Sequence, residues 1–265
     1  MKIFISRPVA NVLVSTEHGQ FIVNRNDYNI ENKNVYGVGY QIFKNGCYEP
    51  GEIGIVLELL STRKANHGDG VVAIDCGANI GAHTIEWSRH MHGWGNVLAI
   101  EAQERIFYML AGNIALNNCF NARAVWAAVG AAAGEIGVPQ PDYFRNASYG
   151  SLEIRKTATT ENIGQAINYD HEGLSVTRMF AIDDLDLKRL DFIKIDIEGM
   201  EIEALQGATQ TITRTRPQIL IEKLKSDEKQ LYKFLLERKY RLYPFDKNII
   251  AIHESDPVSI NLNAI

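Results

Sequence analysis

Residues 71–81 read Val-Val-Ala-Ile-Asp-Cys-Gly-Ala-Asn-Ile-Gly, and this stretch decides the fold. Its first four residues form a short apolar run rich in β-branched side chains, which predicts a buried strand. The run ends at Asp75, and a turn containing Gly77 and Gly81 leads into a helix-compatible stretch over residues 82–91. A strand, a glycine turn and a helix in this order are typical of a site where a ligand lies beyond the end of the strand.

Further apolar runs follow this first strand along the chain. They are continuous rather than alternating in polarity, which predicts strands covered on both faces. The runs occupy residues 97–100, 124–129, 192–197 and 218–221, with helix-like stretches between them. Two last strands, at 240–244 and 248–253, form a pair. The pattern predicts an α/β doubly wound fold with an antiparallel edge and a ligand at the carboxyl ends of the strands.

The first 60 residues have a different pattern. They predict two short strands joined by a turn at His18 and Gly19, and then a loop over 37–51, which holds four glycines and a proline. Residues 52–64 follow with apolar residues at helical spacing. We therefore expect an N-terminal extension over residues 1–60 that packs on a core domain over residues 61–265.

Composition excludes several classes of protein. Lysine and arginine number 27 and aspartate and glutamate 32, and the resulting net charge of −5 disfavours a nucleic-acid partner. The three cysteines, Cys47, Cys76 and Cys119, lack CxxC spacing, which favours a reducing compartment without disulfides. The N-terminus reads poorly as a signal peptide, and no apolar window is long enough to span a bilayer. We expect a cytoplasmic protein with no membrane partner.

Carboxylates at the predicted strand ends are the main candidates for a site. Glu101 ends the second run, 26 positions after Asp75. A carboxylate at this place can accept hydrogen bonds from both ribose hydroxyls of a nucleotide. The turn is not GxGxxG, which favours a ligand without a pyrophosphate. His83, in the first turn after the glycines, either contacts the ligand or packs in the core.

Residues 194–201 read Lys-Ile-Asp-Ile-Glu-Gly-Met-Glu and end the fourth parallel strand. We expect Asp196 and Glu198 in the site, because a buried strand end is a costly place for a charge without a partner. They could orient a substrate, act as a base or bind a cation. For Glu201 the favoured interpretation is a helix N-terminal acid that complements the helix dipole.

Several of these segments together resemble one family. The chain resembles the FkbM-type S-adenosylmethionine-dependent methyltransferases from residue 71 to about residue 222. The matching segments, in order, are VVAIDCGANIG, AIEAQ, NIALNN, AAVG, SYGSL, RMFAIDDL, DFIKIDIEGME, LQGA and RPQILIE. Ala102 and Gln103 depart from it, since they replace the proline-containing turn that the family usually shows.

The resemblance implies a class I methyltransferase fold, with a mostly parallel seven-stranded sheet, an antiparallel edge and the N-terminal extension. It implies S-adenosyl-L-methionine as the cofactor and O-methylation of a hydroxyl on a small molecule or sugar. The implied cofactor-binding residues are Asp75, Gly77, Ala78, Asn79, Gly81, Glu101 and Ala128.

The candidate catalytic base is a carboxylate at a strand end: Asp196, Glu198 or Glu222, which sequence does not rank. We expect no resident metal; a divalent cation clamped by these carboxylates is the minor alternative. The rival functions are a non-catalytic nucleotide-binding protein that retains the fold and a nicotinamide oxidoreductase. The oligomeric state stays open.

Overall fold

The computed structural model describes residues 8–258 of the chain. Residues 1–7, on which the signal-peptide prediction rests in part, lie outside this range. None of the helices within the described range is long and apolar enough to cross a membrane. In chain order, the elements are β1 (Asn11–Thr16), β2 (Gly19–Asn24), β3 (Asn29–Glu31), β4 (Asn34–Tyr36), α1 (Val38–Asn45), α2 (Pro50–His67), β5 (Val71–Cys76), α3 (Ala82–His90), β6 (Gly95–Glu101), α4 (Glu104–Leu116), β7 (Ala122–Trp126), β8 (Ala128–Val129), β9 (Gly134–Pro139), β10 (Leu174–Phe180), β11 (Phe192–Ile195), α5 (Glu201–Gly207), α6 (Thr209–Thr215), β12 (Gln218–Glu222), α7 (Glu228–Leu236), β13 (Tyr240–Phe245) and β14 (Asn248–His253).

A seven-stranded sheet organises residues 71–253, with the order β13-β14-β12-β11-β5-β6-β7. The strands β7, β6, β5, β11 and β12 are parallel, and β14 runs antiparallel to both of its neighbours. The predicted α/β class I methyltransferase architecture, mostly parallel with an antiparallel edge, is confirmed. The chain leaves β5 toward β6 and β7 on one side and returns to β11 and β12 on the other, so the switch point lies between β5 and β11.

Side chains alternate between the two faces of the central strands. Val71 and Ala73 of β5 belong to a core shared with α2 and α3, whereas Ile74 and Cys76 belong to a core shared with α5, α6 and α7. Both faces are therefore covered, which explains why the strands are continuous apolar runs in the sequence.

The hairpin of β1 and β2 docks on α4 through amide side chains one helical turn apart. Asn113 accepts from the backbone N–H of Ile22 at 2.6 Å and donates to the carbonyls of Ile22 and Ile80. Asn117 exchanges two similar bonds with the backbone of Gln20. These amides form hydrogen bonds with the backbone groups at the outer edge of β2, and they attach the N-terminal hairpin to the core.

The loop predicted over residues 37–51 is wrong, because this segment contains α1 and the start of α2. Two of its four glycines mark helix ends: Gly37 precedes α1, and Gly46 ends it in the left-handed conformation, with φ of 70°. Ile42 and Val38, one turn apart, bury one face of the helix. The division of the chain at residue 60 stays a prediction, and it falls inside α2.

Candidate active site

Two adjoining cavities open at the carboxyl ends of β5 and β11, beside the switch point. The first cavity has a volume of about 270 Å³. Its polar and charged wall residues include Tyr36, Gln41, Tyr48, Glu49, Asp75, His83, Ser151, Glu161, Lys194, Asp196, Glu198, Glu222, Lys225 and Lys247. The second cavity is bordered by residues 100–103, residues 127–129, Leu152 and Met200. Gly77, Asn79, Gly150, Asp196 and Glu198 border both cavities.

The turn after β5 passes directly over the end of β11. Gly77 has a φ of 79°, and a Cβ there would collide with the carbonyl oxygen of Asp196, so only glycine fits. The backbone N–H groups of Gly77 and Ala78 both donate to the carbonyl of Ile100 at 3.0 Å. Gly81, with a φ of 93°, starts α3. The turn is thus fixed between three strand ends.

Glu101 holds this turn from the neighbouring strand. Its carboxylate accepts from the backbone N–H of Asn79 at 2.9 Å with one oxygen and of Gln103 at 2.8 Å with the other. Burial raises the pKa of Glu101 to about 7, although the backbone donors act in the opposite direction. The side chain also borders the second cavity, where its ribose-binding role stays a prediction.

The rest of the second cavity suits a flat apolar group. Ile100, Ala127, Ala128, Val129 and Leu152 are buried and line it. An apolar slot with a carboxylate at one end fits the adenine and ribose of a nucleoside. The residues present therefore fit the adenosyl half of S-adenosylmethionine.

Strand register explains why Asp75 and Lys194 meet. They are register partners on β5 and β11, so both side chains point toward the same face of the sheet, on the side of α2 and α3. One oxygen of Asp75 accepts from the Thr84 hydroxyl at 2.6 Å, and the other has no hydrogen-bond partner among residues 8–258.

Lys194 forms an ion pair with Asp196 at 2.7 Å. Burial alone would lower the pKa of Lys194, but the charges of Asp196, Asp75 and Glu52 outweigh it and raise the pKa above its ordinary value. Burial also acts to raise the pKa of Asp196, and Lys194 and Lys247 overcome it and lower the pKa. Asp196 is therefore a carboxylate held in its charged form.

A second lysine contacts Glu198, but burial and then the charge of Asp196 outweigh it and raise the pKa of Glu198 well above its ordinary value. Lys225 forms an ion pair with Glu198 and another with Glu161 at 2.9 Å, and it donates to the carbonyl of Ser151 at 3.0 Å. The lysine thus ties the loop after β12 to the turn Tyr149–Ser151, which carries Gly150 into both cavities.

Glu222 differs from the other two carboxylates of the strand ends in having no ion pair with a lysine among residues 8–258. Burial and then the charge of Asp196 raise the pKa of Glu222 to about 7, against the opposing charge of Lys247. Its Oε2 atom is buried and has no hydrogen-bond partner in the described part of the chain. Oxygens of Asp196, Glu198 and Glu222 lie within 4.8 Å of one another. The structure thus brings all three candidate bases to one place but leaves only Glu222 without a lysine ion pair within residues 8–258.

Glu201 lies at the start of α5, and its carboxylate accepts hydrogen bonds from the backbone of the preceding turn. It accepts from the N–H groups of Ile197 and Gly199 at 3.0 and 3.1 Å and from the Ser226 hydroxyl. These contacts hold the turn that carries Glu198. The predicted interaction of Glu201 with the helix dipole stays a prediction.

Sequence reasoning missed several wall residues. The predicted loop over residues 37–51 includes Tyr48 and Glu49, and no sequence pattern singles out Lys225 or Lys247, yet all four border the first cavity. The signal for Lys194 was present, since a lysine inside an otherwise apolar strand must have a charged partner. The others come from connecting segments, whose positions no periodic pattern reveals.

Sequence comparisons with known proteins point to one family of enzymes. A family model described as the methyltransferase FkbM domain matches residues 75–242. A methyltransferase of Sordaria araneosa, sdnD, is 27% identical over 192 residues, which are 64% of this chain and 67% of that protein.

Solved structures include a methyltransferase FkbM from Methylobacillus flagellatus KT, which is 20% identical with a TM-score of 0.49. The match covers 70% of this chain and 44% of that one, so the chain spans less than half of its length. A magnesium protoporphyrin IX methyltransferase, ChlM, from Synechocystis PCC 6803 with bound SAM is 9% identical, with a TM-score of 0.42 and coverage of 77% and 79%.

Proposed function

The chain belongs to the FkbM family of methyltransferases, and from this premise we propose that it transfers a methyl group from S-adenosylmethionine to a hydroxyl oxygen of a polar small molecule or sugar. The observation that carries the proposal is Glu222. It is a buried carboxyl group with a pKa of about 7, and within residues 8–258 its Oε2 atom has no partner. It lies in the wall of the first cavity, which adjoins the slot suited to adenosine.

The cofactor would be held by the turn and by the neighbouring strand ends. Residues 127–129, including Ala128, form the wall for adenine, and Glu101 accepts from the ribose hydroxyls. Asp75, Ala78 and Asn79 border the first cavity, where the amino-acid half of the cofactor would lie. The unpartnered oxygen of Asp75, described above, is available to accept from an ammonium group.

When bound, S-adenosylmethionine supplies an electrophilic methyl group on a positively charged sulfur. The protein must orient the acceptor hydroxyl and remove its proton. We assign the proton to Oε2 of Glu222, which becomes a neutral carboxyl group as the new C–O bond forms. Asp196, fixed by Lys194, orients the acceptor as a hydrogen-bond acceptor. Glu198, fixed by Lys225, borders the same cavity beside it.

The acceptor class follows from the wall of the first cavity. Charged and hydroxyl-bearing side chains, such as Lys225, Lys247, Tyr48 and Ser151, border it. Such a wall favours a ligand with many hydroxyl groups over an apolar one, because buried polar groups need partners.

Calorimetry tests the cofactor first. We expect binding of S-adenosylmethionine and S-adenosylhomocysteine and none of NADH. Glu101→Ala should raise the dissociation constant at least tenfold, about 1.4 kcal/mol, because charge-assisted bonds are lost and the turn at Asn79 loses its anchor. Glu104→Ala, outside both cavity walls, is the matched control, and circular dichroism checks that both variants fold.

Labelled S-adenosylmethionine then tests transfer to a panel of sugars and other hydroxyl compounds. Cofactor binding without transfer to any hydroxyl in the panel, but with transfer to an amine or thiol, would contradict O-methylation. Absence of heat with either cofactor form would favour a protein that has lost the activity and retained the fold.

A further inference from the structure

A histidine and two glutamates converge behind the first cavity. Glu49 precedes α2, Glu52 lies in the first turn of α2, and His83 lies in the first turn of α3. Nε2 of His83 is 3.3 Å from Oε1 of Glu52 and 3.8 Å from Oε2 of Glu49. The three facing atoms lie within 4.8 Å of one another.

Each carboxylate has its other oxygen held by a neighbour. Oε1 of Glu49 pairs with Lys247 at 2.9 Å, and Oε2 of Glu52 accepts from the side-chain amide of Asn248. The remaining oxygens are thereby directed at His83. The imidazole is itself fixed by edge-to-face contacts with Tyr48 and Trp87, at centroid distances of 6.1 and 5.7 Å. Carboxylates held in this way by neighbouring donors are typical of metal ligands.

The facing atoms lack partners of their own. His83 is 5% exposed and Glu52 is 7% exposed. Within residues 8–258, both ring nitrogens of His83 lack a hydrogen-bond partner, and so does Oε1 of Glu52. A buried polar atom without a hydrogen bond is costly. Nε2 of His83 and Oε1 of Glu52 face each other in this state, which indicates a missing ligand.

Charge in the adjacent cavity points to a cation. Among the described residues, six carboxyl groups line the first cavity and three lysines oppose them. Glu52 adds a further carboxyl group just behind its wall. An excess of negative charge at a largely buried site requires protons or cations for compensation.

We propose that Glu49, Glu52 and His83 form a binding site for a divalent first-row metal cation of the Zn²⁺ type. In a tetrahedral site with bonds of about 2.0–2.1 Å, neighbouring ligand atoms lie about 3.3 Å apart, close to the two separations at His83. One imidazole with two carboxylates is a ligand set for Zn²⁺ rather than for Ca²⁺ or Mg²⁺. Three protein ligands leave a fourth position open, and two of them, Glu49 and His83, border the first cavity.

The cluster of Asp196, Glu198 and Glu222 is a weaker candidate for this ion. Two of its three carboxylates form ion pairs with lysines, Asp196 with Lys194 and Glu198 with Lys225, against one, Glu49 with Lys247, in the proposed site. It also contains no imidazole, the ligand that distinguishes zinc sites from sites for harder cations.

Metal binding is measured without turnover, so the result is independent of methyl transfer. The purified full chain is treated with a chelator, dialysed and titrated with Zn²⁺ by calorimetry, and its metal content is measured by elemental analysis. We expect one equivalent of zinc and a higher unfolding temperature with the metal. His83→Asn should weaken zinc binding at least 100-fold. His90→Asn, on the same helix and outside the cluster, is the matched control.

Glu49→Gln provides a second variant, because the Glu49 side chain is 18% exposed and its loss should leave the fold intact. We expect zinc affinity to fall at least tenfold, with an unchanged circular dichroism spectrum. Equal zinc affinity in the His83 and His90 variants would show adventitious binding and overturn the proposal. Absence of heat and of bound zinc in the parent protein would overturn it as well.

Discussion

At the scale of single residues, three carboxylates at adjacent strand ends have different environments. Asp196 and Glu198 face lysines at ion-pair distance, whereas Glu222 has a buried oxygen that finds no partner across residues 8–258. A general base works best when its pKa lies near the operating pH. Glu222, with a pKa of about 7, meets this condition, and Asp196, with a lowered pKa, does not.

We expect Glu222→Gln to lower turnover at least 100-fold, with cofactor affinity changed less than about fivefold. The base must be deprotonated, so turnover of the parent protein should rise as the pH increases through about 7 and level off above it. In the variant this rise should be absent. Rates measured from pH 5.5 to 9 test both statements, with Glu228→Gln on α7 as the control. Full activity in the variant would transfer the base role to Asp196 or Glu198.

Sequence predicts the location of these carboxylates but not their ion pairs or pKa values. Asp196 and Glu222 lie at strand ends, and parallel strands bring their carboxyl ends to one edge, so their proximity follows from the pattern. The lysines that distinguish them come partly from elsewhere. Lys225 and Lys247 lie in connections after β12 and β13, and only the folded chain brings them to the site.

At the scale of elements, the turn between β5 and α3 depends on one backbone contact. Gly77 and Gly93 both have a φ of 79°, but a Cβ on Gly77 meets the Asp196 carbonyl, whereas a Cβ on Gly93 meets nothing within 4 Å. Substitutions at these two glycines therefore separate the cost of backbone strain, which both share, from the cost of a steric collision, which only Gly77 has.

We expect Gly93→Ala to cost about 1–2 kcal/mol of unfolding free energy, the price of a left-handed alanine. Gly77→Ala should cost at least about 1 kcal/mol more, because the turn must also move away from β11. It should also abolish S-adenosylmethionine binding, which Gly93→Ala should leave intact. Urea unfolding and calorimetry measure the two effects. Equal costs and equal binding would mean that the turn is a simple connector.

Strands and helices differ in how well sequence predicts them. The central strands are recognisable because both faces are buried and the apolar runs are continuous. The helix α1 is not, because its flanking glycines read as loop signals while Gly39 inside it packs against the backbone of Asn24. A glycine can mark a loop, a helix end or a close contact, and only the fold distinguishes these.

At the scale of the whole molecule, a buried ion cluster joins distant parts of the chain. Arg63 of α2 binds Asp191, just before β11, at 3.2 Å and Asp256, after β14, at 2.9 Å. All three side chains are at most 8% exposed. Asp191 lies at the amino end of β11, whereas the cavities lie at the carboxyl ends of the parallel strands. The cluster is therefore at the opposite edge of the sheet from the site.

Arg63→Met should lower the unfolding free energy by about 3 kcal/mol or more, because it leaves buried carboxylates without their shared cation. The adjacent Lys64→Met is the control. Lys64 is 42% exposed and 3.6 Å from Asp69, so its loss should cost less than about 1 kcal/mol. Urea unfolding measures both. Similar small losses in the two variants would mean that Arg189, which also binds Asp191, compensates for the change.

The position of α1 and the start of α2 has a consequence for how such proteins diversify. Tyr36, Gln41, Tyr48 and Glu49 form one side of the first cavity, yet the family match begins only at residue 75. Under the proposed function, part of the wall that meets the acceptor is thus encoded outside the stretch that carries the machinery of transfer. Exchange of residues 36–49 between relatives would redirect the enzyme to new acceptors while the chemistry is inherited unchanged, and the N-terminal stretch is where libraries for altered selectivity should begin.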